Sequence, residues 1–185
     1  ETYENLMNGK KANLVVTDPP YNVAYKGTAG TIQNDSMEDG KFYEFLFSAF
    51  KCMYDVCADG ASIYVFHADK ESINFRTAFR DAGFFCHQTC IWVKNTPVLG
   101  RCDYQYCHEP ILVGWKPTAG HKWYSDRKQR TVWNFDKPKK SELHPTTKPI
   151  PLVAYPIQNS SVVNSVILEP FGGSGSTLIA CEQTD

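Results

Sequence analysis

A short apolar run, Leu14-Val15-Val16-Thr17, is closed by Asp18-Pro19-Pro20-Tyr21. The adjacent valines read as a buried strand. The two prolines end it at once, because neither can donate to a ladder. Four residues of unusual chemistry therefore sit where a sheet opens into a loop, and in open α/β sheets ligands bind at that edge. Pro19 and Pro20 hold an extended backbone whose carbonyls are not taken by a helix. The Asp18 carboxylate and the Pro19 carbonyl then form two fixed acceptors, which suit a planar exocyclic amine with two N–H donors. Tyr21 offers a flat ring on which a base could stack, a contact worth about 1–3 kcal/mol. An Asp-Pro turn followed by a packing tyrosine would account for the same residues.

The other end of the chain carries a second strand-to-loop junction. Val166-Ile167-Leu168-Glu169 leads into Pro170-Phe171-Gly172-Gly173-Ser174-Gly175-Ser176-Thr177, and Leu178-Ile179-Ala180-Cys181 opens a helix. A glycine-rich turn of this kind lets a ligand approach the backbone and aims free helix N–H groups at it. It is not a P-loop, because no lysine precedes Ser176-Thr177. The dinucleotide spacing G-x-G-x-x-G is also absent, since Leu178 stands where the last glycine would be.

Between these junctions the periodicity alternates. Residues 1–12 read as a helix end with Asn8-Gly9 as its break, and 22–40 as a long glycine-containing loop, the kind that often covers a site. Residues 41–58 have helical spacing, with Asp59-Gly60 as the stop. Ala61 to Phe66 is a strand, Asp69 to Ala82 a helix, and Phe84 to Lys94 and Glu109 to Trp115 are strands. His67 follows the first of these strands and reads as a structural histidine. Ile150 to Gln158 is a helix started by Pro149 or Pro151, which Pro156 should kink or end. At 185 residues the chain is one domain, and 42% hydrophobic residues suffice for a core.

The net charge of −1 argues against a global field for nucleic acid. The charge is distributed unevenly, however. Residues 116–148 hold nine basic against three acidic residues, with Trp123, Tyr124, Trp133 and Phe135 interleaved. That mixture suits a phosphate backbone and stacked bases; it would equally suit a solvated loop with aromatic anchors. Seven cysteines in no framework spacing imply reduced thiols and a cytoplasmic protein. Cys86, His87 and Cys90, and Cys102, Cys107 and His108, lack a paired C-x-x-C, so no metal is expected. No stretch approaches the length of a membrane span, and no leader is expected.

The two junctions together resemble the exocyclic-amine DNA methyltransferases, which modify adenine N6 or cytosine N4. Asp18-Pro19-Pro20-Tyr21 is similar to the catalytic motif and Phe171-Gly172-Gly173-Ser174-Gly175 to the cofactor loop. His144-Pro145-Thr146-Thr147-Lys148-Pro149 resembles the segment that precedes that loop. The catalytic motif comes first and the cofactor loop last, as in the β-type order of the family. The resemblance implies a Rossmann-like α/β fold with a doubly wound sheet and S-adenosyl-L-methionine as cofactor. It implies duplex DNA as substrate and adenine N6 as target, since cytosine N4 enzymes often carry serine where Asp18 stands. The cofactor would lie against Asp18, Asp35 and Glu169, the loop Phe171, Gly172, Gly173, Ser174, Gly175 and Ser176, and His144, Thr147 and Lys148. Asn34 should lie near it. Residues 116–143 would form a small target-recognition insert, with Lys122, Arg127, Lys128, Arg130, Lys139 and Lys140 on DNA. A homodimer and a cognate restriction enzyme are conceivable partners. A fold of this type continues beyond such a loop to an acidic residue for the cofactor ribose, so a truncated chain is expected. Cytosine N4 methylation and a catalytically idle DNA-binding module remain the alternatives.

Overall fold

The run that ends at Thr17 is a strand in the computed structural model, which describes residues 2–23, 26–27, 30–31, 35–137 and 147–184. A short helix, α1 (Thr2–Met7), stops at Asn8 and Gly9, whose φ of 45° and 75° turn the chain into β1 (Ala12–Thr17). Within the expected loop, β2 (Lys26–Gly27) and β3 (Gly30–Thr31) pair as a small antiparallel hairpin. Helix α2 (Asp39–Val56) then feeds directly into β4 (Cys57–Phe66).

The sequence therefore placed one break wrongly. Asp59-Gly60 lies inside β4 rather than ending α2. Gly60 adopts φ +73°, and a Cβ there would stand 2.4 Å from the Gly120 carbonyl oxygen, so glycine is required by both conformation and space. The register of β1 against β4 slips across this stretch, from Ala12↔Cys57 to Leu14↔Ser62, as a bulge demands.

After β4 a 3-10 turn (Asp69–Glu71) opens α3 (Ser72–Asp81). Two long strands follow, β5 (Phe85–Val98) and β6 (Tyr106–Trp115), then a short β7 (Val132–Asn134). Helix α4 (Ile150–Ser160), β8 (Ile167–Leu168) and α5 (Ser176–Thr184) complete the described elements. Pro156 neither ends nor replaces α4. The helix runs on to Ser160, and burial of Leu152, Val153, Pro156 and Ile157 offsets the backbone bond that proline cannot make.

The strands form one six-stranded sheet in the order β7-β5-β6-β4-β1-β8, in which only β6 runs against the others. The pleat sends alternate residues to opposite faces. Val15, Ile63 and Val65 face α2 and α3, where Phe42, Phe50, Phe75 and Phe79 are fully enclosed. Leu14, Val16, Tyr64 and Phe66 face α4 and α5, with Trp92 and Ile111 beside them. Helices on both faces make the sheet doubly wound, as expected for a Rossmann-like fold. Among the described residues no helix is long and apolar enough to cross a membrane.

Candidate active site

Five strands run one way and β6 the other, so the carboxyl ends of β1, β4, β5 and β8 meet the amino end of β6 at one edge. Asp18 emerges there from β1 and Glu169 from the neighbouring β8. Thr17 Oγ1 donates to Glu169 Oε1 at 2.8 Å and ties the two ends together. The glycine turn is shaped by Gly173 and Gly175, whose φ of 48° and 76° a side chain would strain. Gly175 N–H donates to Gly172 O at 2.7 Å and closes the turn. Ser176 Oγ donates to Lys148 O at 3.0 Å, which clamps the 147–149 segment onto the start of α5.

A cavity of about 760 Å³ opens between these parts. It is lined by Asp18, Pro19, Pro20 and Tyr21 and by Pro170 to Ser174 with Ser176 and Thr177, which leave the adjacent ends of β1 and β8. Every described residue that the resemblance assigned to catalysis or cofactor lines it, except Gly175, which shapes the turn from behind. Asp35 is buried and lines the cavity too. Its Oδ1 accepts from the backbone N–H groups of Tyr21 and Val23 at 3.1 and 3.2 Å, so it fixes the chain that leaves the motif. Asn34, Lys139, Lys140 and His144 lie outside the described residues.

The Asp18-Pro19-Pro20-Tyr21 motif is part of a buried charge network. Asp18 Oδ1 accepts from the Tyr21 hydroxyl at 2.5 Å, and Asp18 Oδ2 accepts from Lys148 Nζ at 2.6 Å. Glu109 Oε2 stands 3.2 Å from the same Nζ and 3.1 Å from the Tyr21 oxygen, and Glu109 Oε1 pairs with Lys94 at 2.5 Å. Burial pushes Glu109 up, but Lys148 and Lys94 outweigh it and hold the carboxyl at about 2. Burial pulls the Lys148 ammonium down, yet Asp18 and Glu109 reverse the sign and keep it charged. Burial, then Asp18 and Glu109, raise the Tyr21 phenol well above its ordinary range, so it stays neutral. Among the described residues no lysine pairs with Glu169. Burial pushes it up to about 8, although Thr17 and the Phe171 N–H stabilise its carboxylate.

Sequence reasoning missed Glu109 and Lys94. Each is a charge abutting an apolar run, Glu109 before Pro110-Ile111-Leu112 and Lys94 after Ile91-Trp92-Val93. The signal was there once β5 and β6 were known to bring opposite ends to one edge. His67 is buried and does not line the cavity. It stacks on Phe75 at 5.2 Å, and burial lowers its pKa, so the ring is neutral. Its Nε2 is buried without a hydrogen-bond partner among the described residues.

The basic residues called for DNA lie elsewhere. Lys122, Arg127, Lys128 and Arg130 belong to the segment between β6 and β7, which starts beside the amino end of β4, where Lys116 N–H meets Ala61 O. Arg127 and Arg130 line a separate cavity of about 490 Å³ with His87, Trp115 and Trp123, at the opposite edge of the sheet. Among the described residues, Lys70, Lys94, Lys137 and Lys148 line the cavity that holds Asp18. Among the described residues no cluster of three or more His, Cys, Asp or Glu side chains could hold a metal ion.

A family model for DNA methylases of the N6/N4 class matches residues 12–185. The chain belongs to this DNA methylase family. The provisionally named methylase YubD of Escherichia coli K12 is 28% identical over 178 residues, which cover 95% of this chain and 74% of YubD. The type II methyltransferase M.HpaI of Haemophilus parainfluenzae is 26% identical, covering 92% of this chain and 60% of M.HpaI. The fold of the methylase matches the solved complex of M1.HpyAVI with SAM at a TM-score of 0.74 and 20% identity, over 99% of this chain and 84% of that one. It also matches the cytosine-N4-specific PvuII DNA methyltransferase at 0.79 and 14% identity, over 100% of this chain and 77% of that one.

Proposed function

We propose that this methylase transfers a methyl group from S-adenosyl-L-methionine to the exocyclic amine of a base flipped out of duplex DNA, and that the base is adenine. One observation carries the reading: Asp18 and Tyr21 line a single cavity together with the glycine turn. The volume lies in the range of about 300–1,000 Å³ usual for small-molecule and cofactor sites. The wall from Phe171 to Ser176 fits the cofactor: an aromatic ring, a backbone bent through positive φ, and the N-terminus of α5. When bound, S-adenosyl-L-methionine supplies an electrophilic methyl group whose sulfur keeps the electron pair as the bond breaks. Asp18 at the first motif position supports adenine over cytosine.

The protein's part is positioning and electrostatics. Asp18 and the Pro19 carbonyl accept the amine hydrogens and direct its lone pair to the methyl carbon. After attack, Asp18 is the acceptor for the proton that the new ammonium must lose. Both Asp18 oxygens are engaged in this structure, one by Tyr21 and one by Lys148. Entry of a base therefore requires a second acceptor for those donors. Glu109 already lies at 3.1 and 3.2 Å from them and takes over that role, freeing Asp18 for the amine. Tyr21 then presents its ring to the base.

The test is transfer of labelled methyl from S-adenosyl-L-methionine to unmethylated duplex DNA. Asp18→Ala is expected to lower kcat by about 10²–10³-fold, the range for removing one transition-state contact. Transfer unaffected by Asp18→Ala would refute the reading.

A further inference from the structure

The strands that deliver Lys94 and Glu109 continue past the cavity as an arm. The last pair of the β5–β6 ladder is Val98↔Tyr106, and residues 95–104 are exposed throughout. A free hairpin in water should carry polar residues at its tip. This one carries Leu99 at 85% and Tyr104 at 92% exposure, with Val98 and Tyr106 also exposed. The turn is braced. Gly100 N–H donates to Gln105 Oε1 at 2.7 Å, and Gln105 Nε2 donates to Cys102 O at 2.6 Å. The apolar side chains are thus held outward by a structured turn.

The position of the arm selects its partner. Val98, Cys102 and Tyr106 line the same cavity as Asp18, so the arm stands at the mouth through which a base would enter. Lys70 and Lys137 line that cavity, with Asp69 beside Lys70, and the turn itself carries Arg101 and Asp103. An exposed apolar tip beside a cavity that would take a base matches a polymer whose stacked apolar faces lie within reach once one base has left the stack. A flipped base leaves a gap in its stack, and DNA-bending proteins insert apolar wedges such as leucine between base steps.

We infer that Leu99 and Tyr104 enter the duplex beside the target base and fill the gap it leaves. The inference rests on the reading of the cavity as a DNA methylation site. It assigns flipping to the arm and chemistry to the Asp18 network, two separable functions.

Two substrates separate them. One duplex carries the target base fully paired; the other carries it opposite an abasic position, where extrusion is already easy. For Leu99→Ala with Tyr104→Ala, kcat/KM on the paired duplex is expected to fall roughly 10- to 100-fold, matching a loss of part of the unstacking energy. On the abasic duplex the double variant should equal the parent. Both side chains are solvent-exposed, so the fold is untouched, and an unchanged thermal melt checks this. Equal activity on both duplexes, or an equal loss on both, overturns the inference while leaving the methylase reading intact. A parent that methylates neither duplex overturns both.

Discussion

At the scale of single residues, the site is a competition for one carboxylate. Asp18 is shared by Tyr21 and Lys148, with Glu109 at 3.1 and 3.2 Å from the same two donors. In the proposed reaction Glu109 takes them over when a base enters. A hydrogen bond to a charged group contributes about 1.5–3 kcal/mol. Glu109→Gln is therefore expected to lower kcat roughly 10- to 100-fold with little change in cofactor affinity. With Glu109 neutralised, Lys148 loses one of the two charges that raise its pKa, so the alkaline limb of the pH–rate profile should move to lower pH. A profile that keeps its position would show that Glu109 only packs. Glu169 makes a separate prediction. Its carboxyl titrates near its ordinary 4.5 when unfolded and at about 8 when folded. Between those values the folded protein keeps a proton that the unfolded chain has lost, so stability falls as pH rises through the window. Glu169→Gln mimics the protonated form. It should melt with the parent near pH 5 and above it at pH 8. Asp18 and Tyr21 were legible in the sequence because prolines flag them. Glu109 was not, because its partners are 15 and 39 residues away along the chain and meet it only across the sheet.

At the scale of elements, what the sequence showed best was the alternation of strands and helices. β1, α2, α3, the two long strands and α4 all follow apolar periodicity, and each has the expected type. The errors lie where tertiary contact overrides local punctuation. Asp59-Gly60 looks like a helix stop, yet Gly60 is the point where β4 passes the Gly120 carbonyl. Pro156 looks like a break, yet α4 is held against the sheet through it. The cofactor turn is the element whose conformation depends most on glycine. Gly175→Ala would place a side chain at φ +76°, where space is open but the backbone is strained. A left-handed conformation costs an ordinary residue about 1–2 kcal/mol. Affinity for S-adenosyl-L-methionine, read by calorimetry, should therefore fall roughly 5- to 30-fold, with kcat at saturating cofactor nearly unchanged. Equal affinity in the variant would show that the turn does not face the cofactor.

At the scale of the whole molecule, the sheet separates two ends. The proposed catalytic residues gather where five strands finish and β6 begins, while the basic segment read from composition starts at the other edge. Composition counts charges but cannot say at which end of a strand they fall, and the structure places Arg127 and Arg130 at a cavity separate from the one lined by Asp18. Lys70 and Lys137 line the latter. Each phosphate contact contributes about 0.9 to the slope of log affinity against log salt. Lys70→Ala and Lys137→Ala are each expected to lower that slope by about one, whereas Lys122→Ala and Lys128→Ala should leave it unchanged. The reverse pattern would move the DNA to the far edge. The central claim is that this cavity methylates an exocyclic amine, and its most direct test is nucleoside mass spectrometry of unmethylated DNA incubated with the protein and labelled S-adenosyl-L-methionine. The account predicts label in N6-methyladenine that disappears with Asp18→Ala. Label in N4-methylcytosine would contradict the choice of base, and label on a ring carbon, or none on DNA, would contradict the account itself.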